Sequence, residues 1–201
     1  LQKFAELAQN PIVFEKNPEM KGKWNTDFFK NNHPIILELA CGKGEYTNGM
    51  AKLFPEKNFI GMDIKGNRIW SGARITELEG LQNVAFIRDQ IDHVADYFTE
   101  GEIAEIWITF SDPFPRDSDA RRRLTSSKFL PIYKKIIQVG GCIHVKTDSD
   151  LLYAFTKEML QETPSEICKD YNDVYALNKN EELHGIQTYY EKMHLLDKRT
   201  I

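Results

Sequence analysis

Cysteine is scarce: Cys41, Cys142 and Cys168 are the three in 201 residues, far apart and with no C-x-x-C pair among them. That spacing excludes a disulfide framework and a thiolate zinc site, so no metal is expected, and it fits a reducing cytoplasm. Long apolar runs are missing too. None approaches the roughly 18 residues of a membrane span, and the stretch from Leu1 lacks a basic-then-apolar leader pattern, so no membrane partner is expected. Position 1 is Leu rather than Met, from which a few preceding native residues are expected. Excess positive charge is absent as well. Lys and Arg number 26 against 30 Asp and Glu, for a net charge of −4 and a pI near 5.8. This argues against tight non-specific binding to nucleic acid but leaves room for a local basic patch. What is present is 41% apolar residues, enough for the core of one α/β domain. The division expected is an N-terminal helix and arm over 1–33 and a single domain over 34–201.

The most informative stretch is Ile35-Ile36-Leu37-Glu38-Leu39-Ala40-Cys41-Gly42-Lys43-Gly44-Glu45, a buried strand that meets a carboxylate and runs into a glycine turn before a helical pattern. Glycines there let backbone approach a ligand closely, and the following helix presents free N–H groups. Two ligand classes use such a layout, and they differ in charge. A dinucleotide brings an anionic pyrophosphate and wants Gly or Ala at the third fingerprint position, where this chain has Thr47. S-adenosylmethionine brings an ammonium and a sulfonium, and Glu38 at the strand end suits a cation. A second short strand, 58–62, ends on Asp63, 19 residues beyond Gly44, close to the roughly 20 expected of an acid that binds ribose hydroxyls. The alternative is that Gly42 and Gly44 only turn the chain and that both acids are solvated strand ends.

From Pro34 the pattern alternates: strand 35–39, helix 45–53, strand 58–62, helix 67–79, strand 84–88, helix 91–98, strand 103–109, a polar loop, helix 126–138, strand 142–146 and helix 149–161. Alternation of this kind implies parallel βαβ units with right-handed crossovers. Segments 165–169 and 187–195 read as two further strands with no helix between them, an antiparallel hairpin on a mostly parallel sheet. The 10–32 stretch, with Trp24 and four lysines, is open to two readings, a surface-hugging arm or a substrate-contacting one. In such a sheet, ligands bind beyond the carboxyl ends of the strands. Those ends carry Glu38, Asp63, Asp89, Asp112 and Asp148, and five acids in succession exceed chance even though any one could cap a helix, Asp148 most readily.

At Phe110-Ser111-Asp112-Pro113-Phe114-Pro115-Arg116, followed by Arg121-Arg122-Arg123-Leu124, the chain resembles the bacterial tRNA (guanine-N7)-methyltransferases, which make 7-methylguanosine at position 46. Lys146-Thr147-Asp148 and Thr188-Tyr189-Tyr190-Glu191 extend the resemblance nearly to the end. It implies a Rossmann-like, class I S-adenosylmethionine-dependent methyltransferase with a seven-stranded, mostly parallel sheet and an antiparallel edge strand. It implies Glu38, Asp63, Asp89 and Asp112 as cofactor-binding and Arg116, Asp148, Thr188 and Glu191 as substrate-binding; the glycine turn adds Gly42 to the cofactor set, and Asp112 is the candidate catalytic residue. The implied partner is tRNA, the implied state a monomer or homodimer in the cytoplasm. Three departures stand out: Phe114 where the family has Trp, Asp117-Ser118-Asp119 where it has a basic run, and Lys192-Met193 where it has Arg two residues after the Glu.

The chemistry asks little of a general base. Guanine N7 has an in-plane lone pair and no proton to lose, so the task is alignment, and His144 is read as a core or supporting residue. Either Asp112 or Asp148 is placed to accept the base's N–H groups, with Phe114 available to stack. Arg121, Arg122 and Arg123, with Lys16, Lys21 and Lys23, are candidates for phosphate contacts; the triple Arg also reads as a solvated face. Rival functions are a methyltransferase on another RNA or a small molecule, and a non-catalytic S-adenosylmethionine- or RNA-binding module.

Overall fold

The fold is described from a computed structural model covering residues 2–163, 165–175, 186–188 and 191–193. In order, its elements are α1 (Gln2–Ala8), β1 (Val13–Glu15), β2 (Ile35–Leu39), α2 (Glu45–Leu53), β3 (Asn58–Asp63), α3 (Gly66–Glu79), β4 (Val84–Arg88), α4 (Val94–Tyr97), β5 (Ile103–Thr109), α5 (Leu130–Ile136), β6 (Ile137–Lys146) and α6 (Asp150–Gln161). β2 and β3 are buried along their whole length, as continuous apolar runs must be when helices cover both faces of a parallel sheet. The strand order is β1-β4-β3-β2-β5-β6, and the pairs β1/β4, β4/β3, β3/β2 and β2/β5 are all parallel. The mostly parallel α/β sheet is as expected, but it has six strands among the described residues rather than seven.

The corrections lie at the two ends of the chain. Val13–Glu15 is a strand on the far edge, too short at three residues to show period-2 alternation. Beyond it the arm coils into single turns at Pro18–Met20 and Trp24–Phe29. Trp24 is fully buried against Phe14, Phe28 and Phe98 and donates its indole N–H to the Tyr97 carbonyl at 2.9 Å, so this arm is part of a core. The expected strand at 165–169 is irregular. In the expected strand at 187–195, Gln187 and Thr188 are irregular and Glu191–Met193 are helical; residues 189, 190, 194 and 195 fall outside the described set. β6 begins at once after α5 and runs through Gly140 and Gly141, so the helix expected over 126–138 is shorter and the strand expected over 142–146 starts earlier, at Ile137.

The chain divides into two compact units. Unit 1, Leu1–Thr109 with Ile132–His144, holds the strands from β1 to β5 and most of β6. Unit 2, Phe110–Pro131 with Val145–Ile201, holds the segment after β5 and α6.

Candidate active site

In unit 1 the turn after β2 is held by the two acids the motif singles out. Glu38 is buried, its carboxylate accepting the backbone N–H of Thr47 at 2.9 Å, the Thr47 hydroxyl, and the Thr109 hydroxyl at 2.9 Å. Burial raises its pKa to about 7 despite the hydrogen bonds from Thr47 and Thr109, which work in the opposite direction. Asp63 accepts the Gly42 N–H at 2.9 Å through one oxygen and the Lys65 N–H at 2.8 Å through the other. The turn itself is strained: Ala40 has φ 57°, Gly42 57° and Gly44 68°. The two glycines are there for different reasons. A Cβ on Gly44 would stand 2.7 Å from the Phe86 ring, whereas one on Gly42 would meet nothing within 4 Å. Gly44 is packed, and Gly42 borders open space.

Asp89, just past β4, is nearly buried. It accepts from the Gln90 N–H at 2.7 Å and the Tyr97 hydroxyl at 2.8 Å, and lies 3.0 Å from His93 Nδ1. Burial pushes its pKa up, but the bonds from His93, Tyr97 and Gln90 together outweigh it and hold the carboxyl below its usual value. His144 stacks on Trp107, centroids 4.2 Å apart, with Nε2 3.3 Å from Glu105 Oε2.

In unit 2, Asp112 follows β5 by three residues, and unlike Glu38, Asp63 and Asp89 it is exposed. Its carboxylate accepts the Phe114 N–H at 3.0 Å, closing an Asx turn around Pro113. Phe110 and Phe114 on either side have φ of 50° and 42°, a conformation that non-glycine residues adopt rarely and at a cost. Arg123 secures this loop from below. It is 4% exposed, donates to the carbonyls of Pro113 and Phe114 at 3.0 Å each, and lies 4.4 Å over the Phe155 ring. The Arg122 guanidinium lies 4.3 Å over the Phe114 ring and pairs with Asp119. Further along, Lys146 is buried and ion-paired with Glu191. Thr188 and Glu191 cap each other: the Glu191 N–H donates to Thr188 Oγ1 at 3.0 Å, and the Thr188 N–H to Glu191 Oε2 at 3.1 Å.

A family model described as "Putative methyltransferase" matches residues 32–201. A tRNA (guanine-N7)-methyltransferase of Bacteroides fragilis is 45% identical over 97% of this chain and 80% of its own length. Its counterpart in Christiangramia forsetii is 48% identical over 98% and 85% respectively. This chain belongs to the tRNA (guanine-N7)-methyltransferase family. A solved antibiotic-related methyltransferase shares the fold, with a TM-score of 0.62 at 13% identity over 87% of both chains.

Within that family frame, the expected site residues sort by environment. Glu38, Asp63 and Asp89 have their carboxylates engaged by the protein's own N–H and O–H groups, with Gly42 on the open side of the turn. Asp112 and Arg116 are exposed and Asp148 is partly so. Asp148 is not the cap of α6: that is Ser149, which accepts the Leu152 N–H at 3.2 Å. Thr188 and Glu191 are buried and turned toward each other, and Thr-x-x-Glu is the signature of a capping box, which the strand reading of this segment overlooked. Arg123 does not face solvent with Arg121 and Arg122; it serves the loop. Thr47, Thr109 and Lys146 were not foreseen as site residues, and Arg123 was expected only as a phosphate contact. One signal existed: the Thr47 that spoils the dinucleotide fingerprint is the residue that grips Glu38.

Proposed function

We propose that this chain transfers the methyl group of S-adenosylmethionine to N7 of a guanine in tRNA, position 46 being the target and the cytoplasm the setting. What supports the reading most is 45% identity, over 97% of the chain, to a relative bearing that name. The residues fit a cationic donor. Asp63 has lone pairs left after two backbone bonds, Gly42 leaves room for close approach, and the buried Glu38 and Asp89 add two further carboxyl groups, that of Asp89 beside His93. Asp63 is assigned the ribose hydroxyls and Gly42 the close backbone contact.

When bound, the donor supplies an electrophilic methyl on a sulfonium. The protein's share is to align the base and accommodate charge. Asp112, exposed and fixed by its Asx turn, accepts the guanine N1–H and N2–H; as the ring gains positive charge those bonds strengthen, which lowers the barrier selectively. Arg116 and Asp148 are assigned to the nucleotide's phosphate and base edge. Arg122 already covers one face of Phe114, which leaves the other face for stacking. No proton leaves N7, so no general base is assigned.

The test is to incubate the protein with labelled S-adenosylmethionine and unmodified tRNA and to map the product by base-selective cleavage. Label at 7-methylguanosine is expected, reduced on the order of 100-fold or more in Asp112→Ala with the fold retained. Label elsewhere in the tRNA, or undiminished turnover by Asp112→Ala, would refute the assignment.

A further inference from the structure

A buried ion pair sits at the heart of unit 2. Lys146 and Glu191 are 8% and 0% exposed, and Glu191 also accepts the Tyr175 hydroxyl and the Thr188 N–H. Such a pair is a poor device for stability, because stripping water from both charges offsets most of their attraction. What it touches is more informative. The Lys146 carbonyl accepts the Phe110 N–H at 2.8 Å, and its ammonium lies 5.9 Å from the Phe110 ring centre and 5.1 Å from that of Tyr175. Phe110 is the left-handed residue two positions before Asp112, and Asp148 stands two positions after Lys146. The pair, together with the Lys146 carbonyl, therefore ties the Thr188-to-Glu191 cap to the segment of the exposed Asp112 and to that of the partly exposed Asp148.

We infer that Lys146 and Glu191 are positioning residues for the methyl-transfer reaction: the Thr-x-x-Glu element acts on the substrate through Lys146, by holding the Asp112 and Asp148 segments, rather than by touching RNA. The inference rests on the function proposed above. It explains why Glu191 is fully buried in an element that the family resemblance assigns to the substrate.

The experiment compares the full chain with Lys146→Met, Glu191→Gln, Lys146→Arg and the double variant Lys146→Met/Glu191→Leu, measuring kcat, KM for tRNA and thermal unfolding. Each single loss should lower kcat by about 10- to 100-fold, the scale of a misplacement near 1 Å, with KM for tRNA nearly unchanged. The double variant should lose no more than the worse single one, and Lys146→Arg should recover part of the loss. Should the single variants fail to fold because one charge is left buried alone, the double one, which is apolar at both positions, still reports. A folded double variant with wild-type kcat overturns the inference. So does a Glu191→Gln variant that raises KM at constant kcat while Lys146→Met behaves as wild type. Hydrogen exchange over Phe110 to Arg116 separates this from the function itself. Faster exchange in the double variant is expected whatever the substrate proves to be, and unchanged exchange overturns the positioning role. A wild-type protein that makes no 7-methylguanosine counts against the function alone.

Discussion

Gly42 and Gly44 are two residues apart with similar φ, yet a methyl group would do different things to each. At Gly44 it meets the Phe86 ring at 2.7 Å, so Gly44→Ala combines left-handed strain with overpacking and should cost about 2–4 kcal/mol in urea unfolding. At Gly42 only the strain remains, about 1 kcal/mol, but the new methyl points into the space assigned to the donor. Calorimetric titration with S-adenosylmethionine should therefore show Gly42→Ala weakened well beyond its small stability loss; unimpaired binding would put the donor elsewhere. Glu38 carries a different signature. Its pKa rises from 4.5 to about 7 on folding, so the folded state holds the proton more tightly than the unfolded chain. The associated stability is complete below the unfolded value and fades as pH climbs through about 7, a change of roughly 3 kcal/mol at most. Stability measured at pH 5, 6 and 7.5 should fall in the wild type, and the Glu38→Gln protein should lack that component; parallel slopes in the two would mean Glu38 is not the group that titrates.

Between residues and the whole lies the loop from Phe110 to Arg123, where a run of three arginines does two jobs. Arg123 is a strut beneath the Asp112 turn, and Arg121 and Arg122 are exposed. Arg123→Ala should cost about 2–4 kcal/mol, since it leaves two carbonyls unpaired and strips packing from Phe155, and it should lower kcat without changing how tRNA binding responds to salt. Arg121→Ala should spare kcat and reduce the slope of log K against log salt by about 0.7–0.9, one phosphate contact. A salt response lost with Arg123 and kept with Arg121 would reverse these roles. The contrast also marks where the sequence is legible. The strands β2 to β5 and helices α2 and α3 read off their apolar period and glycine stops almost to the residue, because a doubly covered sheet leaves no other place for runs such as Ile35–Leu39. The three arginines could not be told apart, since burial of Arg123 depends on Phe155 some thirty residues away. The Thr188-to-Glu191 segment went astray because two tyrosines between a Thr and a Glu suit a strand as well as a capping box, and only the mutual hydrogen bonds decide. The acids themselves were legible as a series but not in their partners. That Glu38 would face Thr47 and Thr109 rather than open space follows from packing across strands, which single-sequence patterns do not encode.

At the scale of the whole molecule the question is how a protein of net charge −4 holds a polyanion. Its long-range field does not draw RNA in, so affinity has to come from a few contacts at short range, screened beyond roughly 8–10 Å at ordinary salt. The exposed cations assigned to that purpose are Arg116 and Arg121 in unit 2 with Lys16 and Lys23 in unit 1. Four of them correspond to a slope of log K against log salt of about −3 to −4, well short of that for a heavily basic binder. Asp117 opposes them, exposed directly after Arg116 and within a segment where the family resemblance leads one to expect positive charge. Asp119 is different, since it is paired with Arg122 and its removal would free that guanidinium from its place over Phe114. Asp117→Lys is thus the cleaner probe. It removes a repulsion and adds one attraction without touching the Asp112 turn, so tRNA should bind more tightly at low salt, with a slope steeper by about 0.7–0.9, while kcat stays put. Filter binding between 50 and 200 mM salt measures this directly, and an unchanged slope would place the loop tip clear of the RNA, leaving Arg116 and Arg121 without the phosphates assigned to them.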